Sequence, residues 1–336
     1  MTVDETIATP GYSPEEQERL NAEYSFVFCY HTEEFVDEIS AAVQDCDTVA
    51  FEYVGFDSDD ERQRWDARLT TYVSDTVTEQ LSTEVEAELD ASAAGAYLKG
   101  VLAKLRGSNK KIVTLDMNVD NPNYPLVEEW WVAEKDYYRI VKDGSPVQEI
   151  RQASTALLRT AVTSFPLREA VMANQLKALG HSPGKIGVVT GIIHTPVEEE
   201  LSSIAETTKT VIGPAIAEGT EVVDYDDFDL AILQARTNGI ENVDGMLLDR
   251  AILTDVIRGY DIDLGNNTAR ELVRSVPDEQ VGEVLHAIDE IHAKHATQSK
   301  GVFRWMLSKD EVTHALQKVW SAIPENPTAI RRITKH

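Results

Sequence analysis

Cysteine is scarce. Cys29 and Cys46 are the only two in 336 residues, too few for a disulfide framework, and they read as free thiols of a reducing, cytoplasmic compartment. Positive charge is also short. Lys and Arg number 31 against 58 Asp and Glu, a formal net charge of -27. A surface that acidic repels phosphate backbones and anionic membranes, which argues against a nucleic-acid partner. The acid is spread along the chain and reads as a solvated coat. No apolar run approaches the roughly 18 to 20 residues needed to span a bilayer. The polar start, "MTVDETIATPGYSPEEQERLNAEY", lacks the basic end and apolar centre of a signal peptide. Nor is there a Walker A loop, a Rossmann glycine fingerprint, a G-x-S-x-G elbow or an H-E-x-x-H motif.

What is present alternates between strand and helix patterns. "SFVFCY" (Ser25–Tyr30) and "TVAFEYVG" (Thr48–Gly55) are strand-like. Between them Thr32 is a candidate N-cap, Glu33 and Glu34 follow, and Phe35, Val36, Ile39 and Val43 keep helical spacing. This is a βαβ unit. Residues 59 to 106 read as helical, "KKIVTLDMN" (Lys110–Asn118) as a buried strand, and 126 to 179 as helical with breaks near "KDGSP" and "SFP". "KIGVVTG" (Lys185–Gly191) is a fourth strand, the Thr195-Pro196-Val197-Glu198 start is a capping box, and "TEVVDY" (Thr220–Tyr225) is taken as the fifth strand. From Asp226 onward the pattern is helical. The expected class is therefore α/β: a central mixed sheet of about five strands, built from two similar βαβ units, surrounded by helices, with a helical C-terminal extension. Residues 1–24 read as a leader, 25–225 as the α/β domain and 226–336 as the helical region.

The two βαβ units share a junction. "YHTEEFVDEI" and "IHTPVEEEL" each place a histidine, His31 or His194, where an apolar strand gives way to a helix start. Ligands of α/β sheets bind at the carboxyl ends of strands, and imidazole serves as metal ligand or acid–base group. Either histidine alone suits a turn-capping role; two at matched junctions point to a shared cleft. Glu52 closes the apolar run "TVAF", where a carboxylate needs a cation, a metal or a donor. Asp116 ends "IVTLD" in the same way, as ligand support or helix cap. Arg168, in "SFPLREAVMANQL", suits an anionic or carbonyl-bearing partner, though alone it reads as a surface residue. Two histidines and a carboxylate make an open coordination set for Mn²⁺, Fe²⁺, Co²⁺ or Zn²⁺, and an ion there would lower the pKa of a bound water. His286, His292 and His295 read as part of a solvated helix. The aromatic segment "EEWWVAEKDYY" (Glu128–Tyr138) reads as core or cleft lining.

The order of these motifs resembles the TraB/PrgY/Tiki family, within a wider group of erythromycin-esterase-like and ChaN-like proteins. A strand-end histidine (His31), a glutamate in the next strand (Glu52), a strand-end aspartate (Asp116), a helical Arg-acidic pair (Arg168, Glu169) and "GIIH" (Gly191 to His194) occur in the family's order over residues 25 to 205. Phe28 stands where the first G-x-x-H has glycine, Val197 replaces a later glycine, and Glu169 stands where Asn or Asp is common. The resemblance implies a metallohydrolase of peptide or related bonds, with His31, His194 and Glu52 as metal ligands, Mn²⁺ or Co²⁺ favoured, and Glu52, Arg168 and Asp116 at the reacting group. The alternative it implies is a non-catalytic protein that binds a peptide or small ligand in the same cleft, as a pheromone-shutdown regulator does. Oligomeric state is left open, a homodimer among the options.

Overall fold

A computed structural model describes residues 19–92, 95–213, 226–260 and 266–298. Its centre is a five-stranded sheet in the order β3-β2-β4-β1-β5. The strands are β1 (Ala22–Cys29), β2 (Thr48–Glu52), β3 (Lys111–Leu115), β4 (Gly184–Thr190) and β5 (Glu206–Ile212). Every pairing is parallel, so the sheet is not the mixed one expected. The reason is that each successive strand is reached by a crossover through helix, which returns the chain to the same starting edge. β1 leads through α1 (Val36–Ala42) to β2; α2 (Asp59–Val73), α3 (Glu79–Asp90) and α4 (Gly95–Lys104) lead to β3. Next, α5 (Tyr124–Lys142) and α6 (Val147–Gly180) lead to β4, and α7 (Thr195–Ser202) leads to β5. The helices α8 (Asp227–Asn238), α9 (Gly245–Tyr260), α10 (Asn266–Arg274) and α11 (Asp278–Gln298) follow.

Parallel strands covered on both faces should be continuously apolar, and residues 26–29 of β1, 49–51 of β2 and 186–189 of β4 are. One face packs Val27, Val49, Phe51 and Val189 against α1 to α4. The other packs Phe26, Phe28, Ala50 and Val188 against Met172, Ala173 and Leu176 of α6. A further core joins α5, α6, α9, α10 and α11 around Tyr137, Ile252, Val273 and Leu285. His292 is buried there, its Nδ1 3.3 Å from the Ser145 carbonyl, so it is not on the solvated face expected of it. His286 is exposed.

Two elements depart from the sequence reading. The expected fifth strand, Thr220–Tyr225, lies outside the described residues; the fifth strand of the sheet is Glu206–Ile212. Its pattern is mostly exposed, with Lys209 at its middle, which suits an edge that must not pair with another chain. The break near "KDGSP" occurs, between α5 and α6, but α6 runs unbroken through Pro166. Proline there removes one backbone bond, and burial of Phe165, Arg168, Met172 and Leu176 along that helix outweighs it.

The other edge strand, β3, is sealed by side chains. Thr70 Oγ accepts from the Ile112 N–H at 3.0 Å and donates to its carbonyl at 3.3 Å. Asp66 accepts from the Thr114 N–H at 2.8 Å, and Arg62 donates to the Thr114 carbonyl at 3.2 Å. Gln175 accepts from the Asp116 N–H and donates to its carbonyl, both at 3.0 Å. Residues 62, 66 and 70 are spaced four apart on α2. A helix rises about 6 Å in four residues and a strand about 6.6 Å in two, so the two repeats stay in step. The edge that ends at Asp116 is thereby fixed.

Candidate functional site

The strand order brings the sequence-selected residues together. β4 lies between β2 and β1. Hence the ends of β3, β2, β4 and β1 present Asp116, Glu52, His194 and His31 in that spatial order along one edge of the sheet. Arg168 reaches this row from α6. It is fully buried, and its guanidinium forks onto Asp116, with Nε 3.1 and 3.0 Å from the two carboxylate oxygens and Nη2 in contact with Oδ2. The same Nη2 donates to Glu52 Oε1 at 2.6 Å. Trp130 and Phe165 cover the guanidinium, with ring centroids 5.9 and 5.5 Å away. So Trp130 of the aromatic segment borders the site, whereas Tyr137 is core.

Glu52 is saturated. Its Oε1 takes Arg168 and, at 3.2 Å, His194 Nε2; its Oε2 takes the Thr190 hydroxyl at 2.9 Å and the Gly191 N–H at 3.0 Å. Burial pushes the carboxyl pKa up, but the charge and hydrogen bond of His194, then Arg168 and His31, hold it well below the ordinary range. Asp116 sits at φ 142°, a left-handed conformation that costs a non-glycine residue about 1–3 kcal/mol. The paired bonds from Gln175 and the Met117 N–H donated to Asp116 Oδ1 at 2.6 Å hold it there.

His194 lies between two carboxylates. Nε2 faces Glu52, and Nδ1 is 3.1 Å from Glu169 Oε1. Burial lowers its pKa, yet the Glu52 charge and the hydrogen bonds to Glu169 and Glu52 outweigh that and carry it to about 9. At neutral pH it is an imidazolium donating from both nitrogens. Glu169 is held in turn by Arg236 of α8, which donates to its two oxygens at 2.8 and 2.5 Å and to the Ile193 carbonyl at 3.0 Å. The chain Arg236–Glu169–His194–Glu52–Arg168–Asp116 alternates three cations with three carboxylates. Buried charges in a parallel sheet need such pairing.

His31 is different. Its ring stacks flat on Tyr97, centroids 4.7 Å apart and planes 3° from parallel. Its Nε2 is buried without a hydrogen-bond partner, as are Thr32 Oγ and Tyr97 Oη. Burial lowers the His31 pKa, the Glu52 charge opposes this, and His194 and Arg168 lower it further. It is therefore neutral, with a lone pair or N–H uncommitted beside the charged row. Phe28, at the family's glycine position, is buried and stacks on Phe26 at 5.8 Å. Val197, at the second lost glycine, belongs to the same apolar cluster. Both departures fill core and leave the row of charges intact.

A divalent ion does not fit the donors as they are paired. Both ring nitrogens of His194 are engaged by Glu52 and Glu169, all four acceptor positions of Glu52 are taken, and Asp116 is committed to Arg168 and Met117. Among the described residues no three His, Cys, Asp or Glu side chains are placed to hold a metal. Of the expected ligands only His31 is open.

Sequence reasoning missed Arg236, whose helix follows the sheet and carries no motif. It noted Glu169 only as the acidic partner following Arg168, although Glu169 is the residue that orients His194. Gln175 was legible in principle: it lies seven residues after Arg168, on the same face of α6. Above the row, α8 also brings Asp229, a carboxylate whose pKa burial and then the Asp226 charge raise to about 8, with Arg270 and His194 opposing. Cys29 and Cys46 are buried free thiols. No helix among the described residues is long and apolar enough to cross a membrane. Compared with known protein families, with characterised proteins and with solved structures, the chain matches none.

Proposed function

We propose that the strand-end row is the reactive centre of a hydrolase for a peptide or related bond, with His31 as the base that activates water. One observation carries this reading. Glu52, Asp116, Arg168, Glu169 and His194 are each held by protein partners, while the His31 Nε2 beside them is bare and its ring neutral. In the proposed step a water gives a proton to Nε2 as its oxygen attacks the carbonyl carbon. The Glu52 charge stabilises the imidazolium so formed. His31 then returns the proton to the leaving amine, so no proton is gained or lost over the cycle. The fixed cations Arg168 and His194 keep Glu52 ionised and favour negative charge developing on the carbonyl oxygen. The saturation of the row also supports the second reading, a binding protein without turnover.

The test is a peptide-library cleavage assay on the full chain, with and without added Mn²⁺ or Co²⁺, using wild type, His31→Gln and Glu52→Gln. The proposal expects metal-independent cleavage that falls by about 10² or more in His31→Gln. Cleavage unchanged in that variant removes His31 as the base. Cleavage only with added ion restores the metallohydrolase reading, and ligand binding without cleavage selects the binding protein.

A further inference from the structure

On the flank of the site, α6, α7 and α8 enclose a groove of 470 Å³, within the size range of small-ligand sites. Its two charged side chains are Arg236 and Glu199, and they make no ion pair with each other. Arg236 has five N–H donors. Glu169 and the Ile193 carbonyl use both Nη1 hydrogens and one on Nη2. The Nε–H and the second Nη2–H have no partner among the described residues, and Arg236 lines the groove. Glu199 is exposed, and its carboxylate meets no partner among the described residues. Val162 also lines the groove, and its carbonyl loses its helical donor because Pro166 has no N–H. The groove thus has a donor end at Arg236 and acceptors at Glu199 and Val162. Leu233, Pro166 and Pro196 add an apolar wall, and Thr195 and Thr237 add hydroxyls to the lining.

We infer that this groove binds a zwitterion of the free amino-acid class: its carboxylate on the spare Arg236 donors, its ammonium on Glu199 and the Val162 carbonyl, its side chain on the apolar wall. The groove offers spare guanidinium donors and an unpaired carboxylate, so a ligand that carries both charges matches more of it than a simple anion or a simple cation. The subsite is also wired to the strand ends. A carboxylate on the spare Arg236 donors shares the guanidinium charge with Glu169, and Glu169 holds His194 Nδ1. Occupancy therefore alters the hydrogen bond on His194, and the groove acts as a regulatory subsite.

The test is calorimetric titration of the full chain with L-leucine, with leucinamide (no carboxylate) and with 4-methylpentanoate (no ammonium). The His194 imidazole nitrogens are followed by NMR in parallel. L-Leucine is expected to saturate, and the two single-charge analogues to bind about tenfold more weakly or worse, as does L-leucine to Glu199→Gln. The His194 Nδ1 signal is expected to move with L-leucine occupancy. Absence of saturable L-leucine binding overturns the inference, as does equal binding of 4-methylpentanoate, or binding that leaves the His194 signal in place. The analogue comparison needs no variant, so a folding defect in Glu199→Gln does not blunt it. The subsite goes beyond the hydrolase reading: failure of peptide cleavage leaves it standing, and failure of L-leucine binding leaves the His31 proposal untouched.

Discussion

The charge on His194 has a measurable consequence for stability. Its pKa in the fold is about 9 against 6.5 for the free side chain. Each unit of difference is worth about 1.4 kcal/mol, so the protonated form is favoured in the folded state by about 3 kcal/mol. Because the folded value is raised, that stability is fully present below pH 6.5 and is lost as pH climbs through 9. Asp229, raised from 3.8 to about 8, acts in the same direction between those values. The measurement is therefore made in an Asp229→Asn background, by urea denaturation at intervals from pH 6 to 9.5. A fall of about 3 kcal/mol is expected across that window, and most of it should vanish when His194→Gln is added. A flat profile would refute the reasoning, since it would mean that Glu52 and Glu169 do not hold a proton on the imidazole between them.

Two further perturbations test the packing around the row. Arg168→Met leaves Asp116 and Glu52 buried without their shared cation, and removal of one partner from a buried pair should lower the unfolding free energy by about 3–5 kcal/mol; a loss under about 1 kcal/mol would mean that the fork is not formed. Asp66→Ala strips the acceptor from the Thr114 N–H at the β3 edge. A loss of about 1–3 kcal/mol is expected, with faster hydrogen exchange at Thr114, and unchanged exchange there would show that the seal lies elsewhere.

Much of this architecture was legible because parallel strands announce themselves. "SFVFCY", "TVAFE", "KIVTL" and "KIGVVT" are apolar runs of strand length, and each falls on a strand of the sheet. β5 was missed because "ETTKTVI" sits on an edge and carries little apolar signal. Pro166 misled for a local reason: the rule that proline ends helices ignores the burial that carries α6 past it. At the site, the His-Thr echo and the end-of-run carboxylates identified His31, His194, Glu52 and Asp116. A pattern of residue types does not give charge states. Nothing in "IHTPVEEEL" tells that His194 is flanked by two carboxylates, because Glu169 and Glu52 reach it from a helix and a strand 25 and 142 residues away in sequence. The strained φ of Asp116 was invisible for the same reason: it depends on Gln175, 59 residues on.

The two matched junctions thus hold histidines in opposite charge states, His194 cationic and His31 neutral. A long-range ¹H–¹⁵N spectrum of the imidazoles at pH 7.5 tests this directly, with assignments from His31→Gln and His194→Gln. Both nitrogens of His194 should be protonated, and His31 should show one protonated and one bare nitrogen. A neutral His194, or a His31 doubly protonated at that pH, would contradict it.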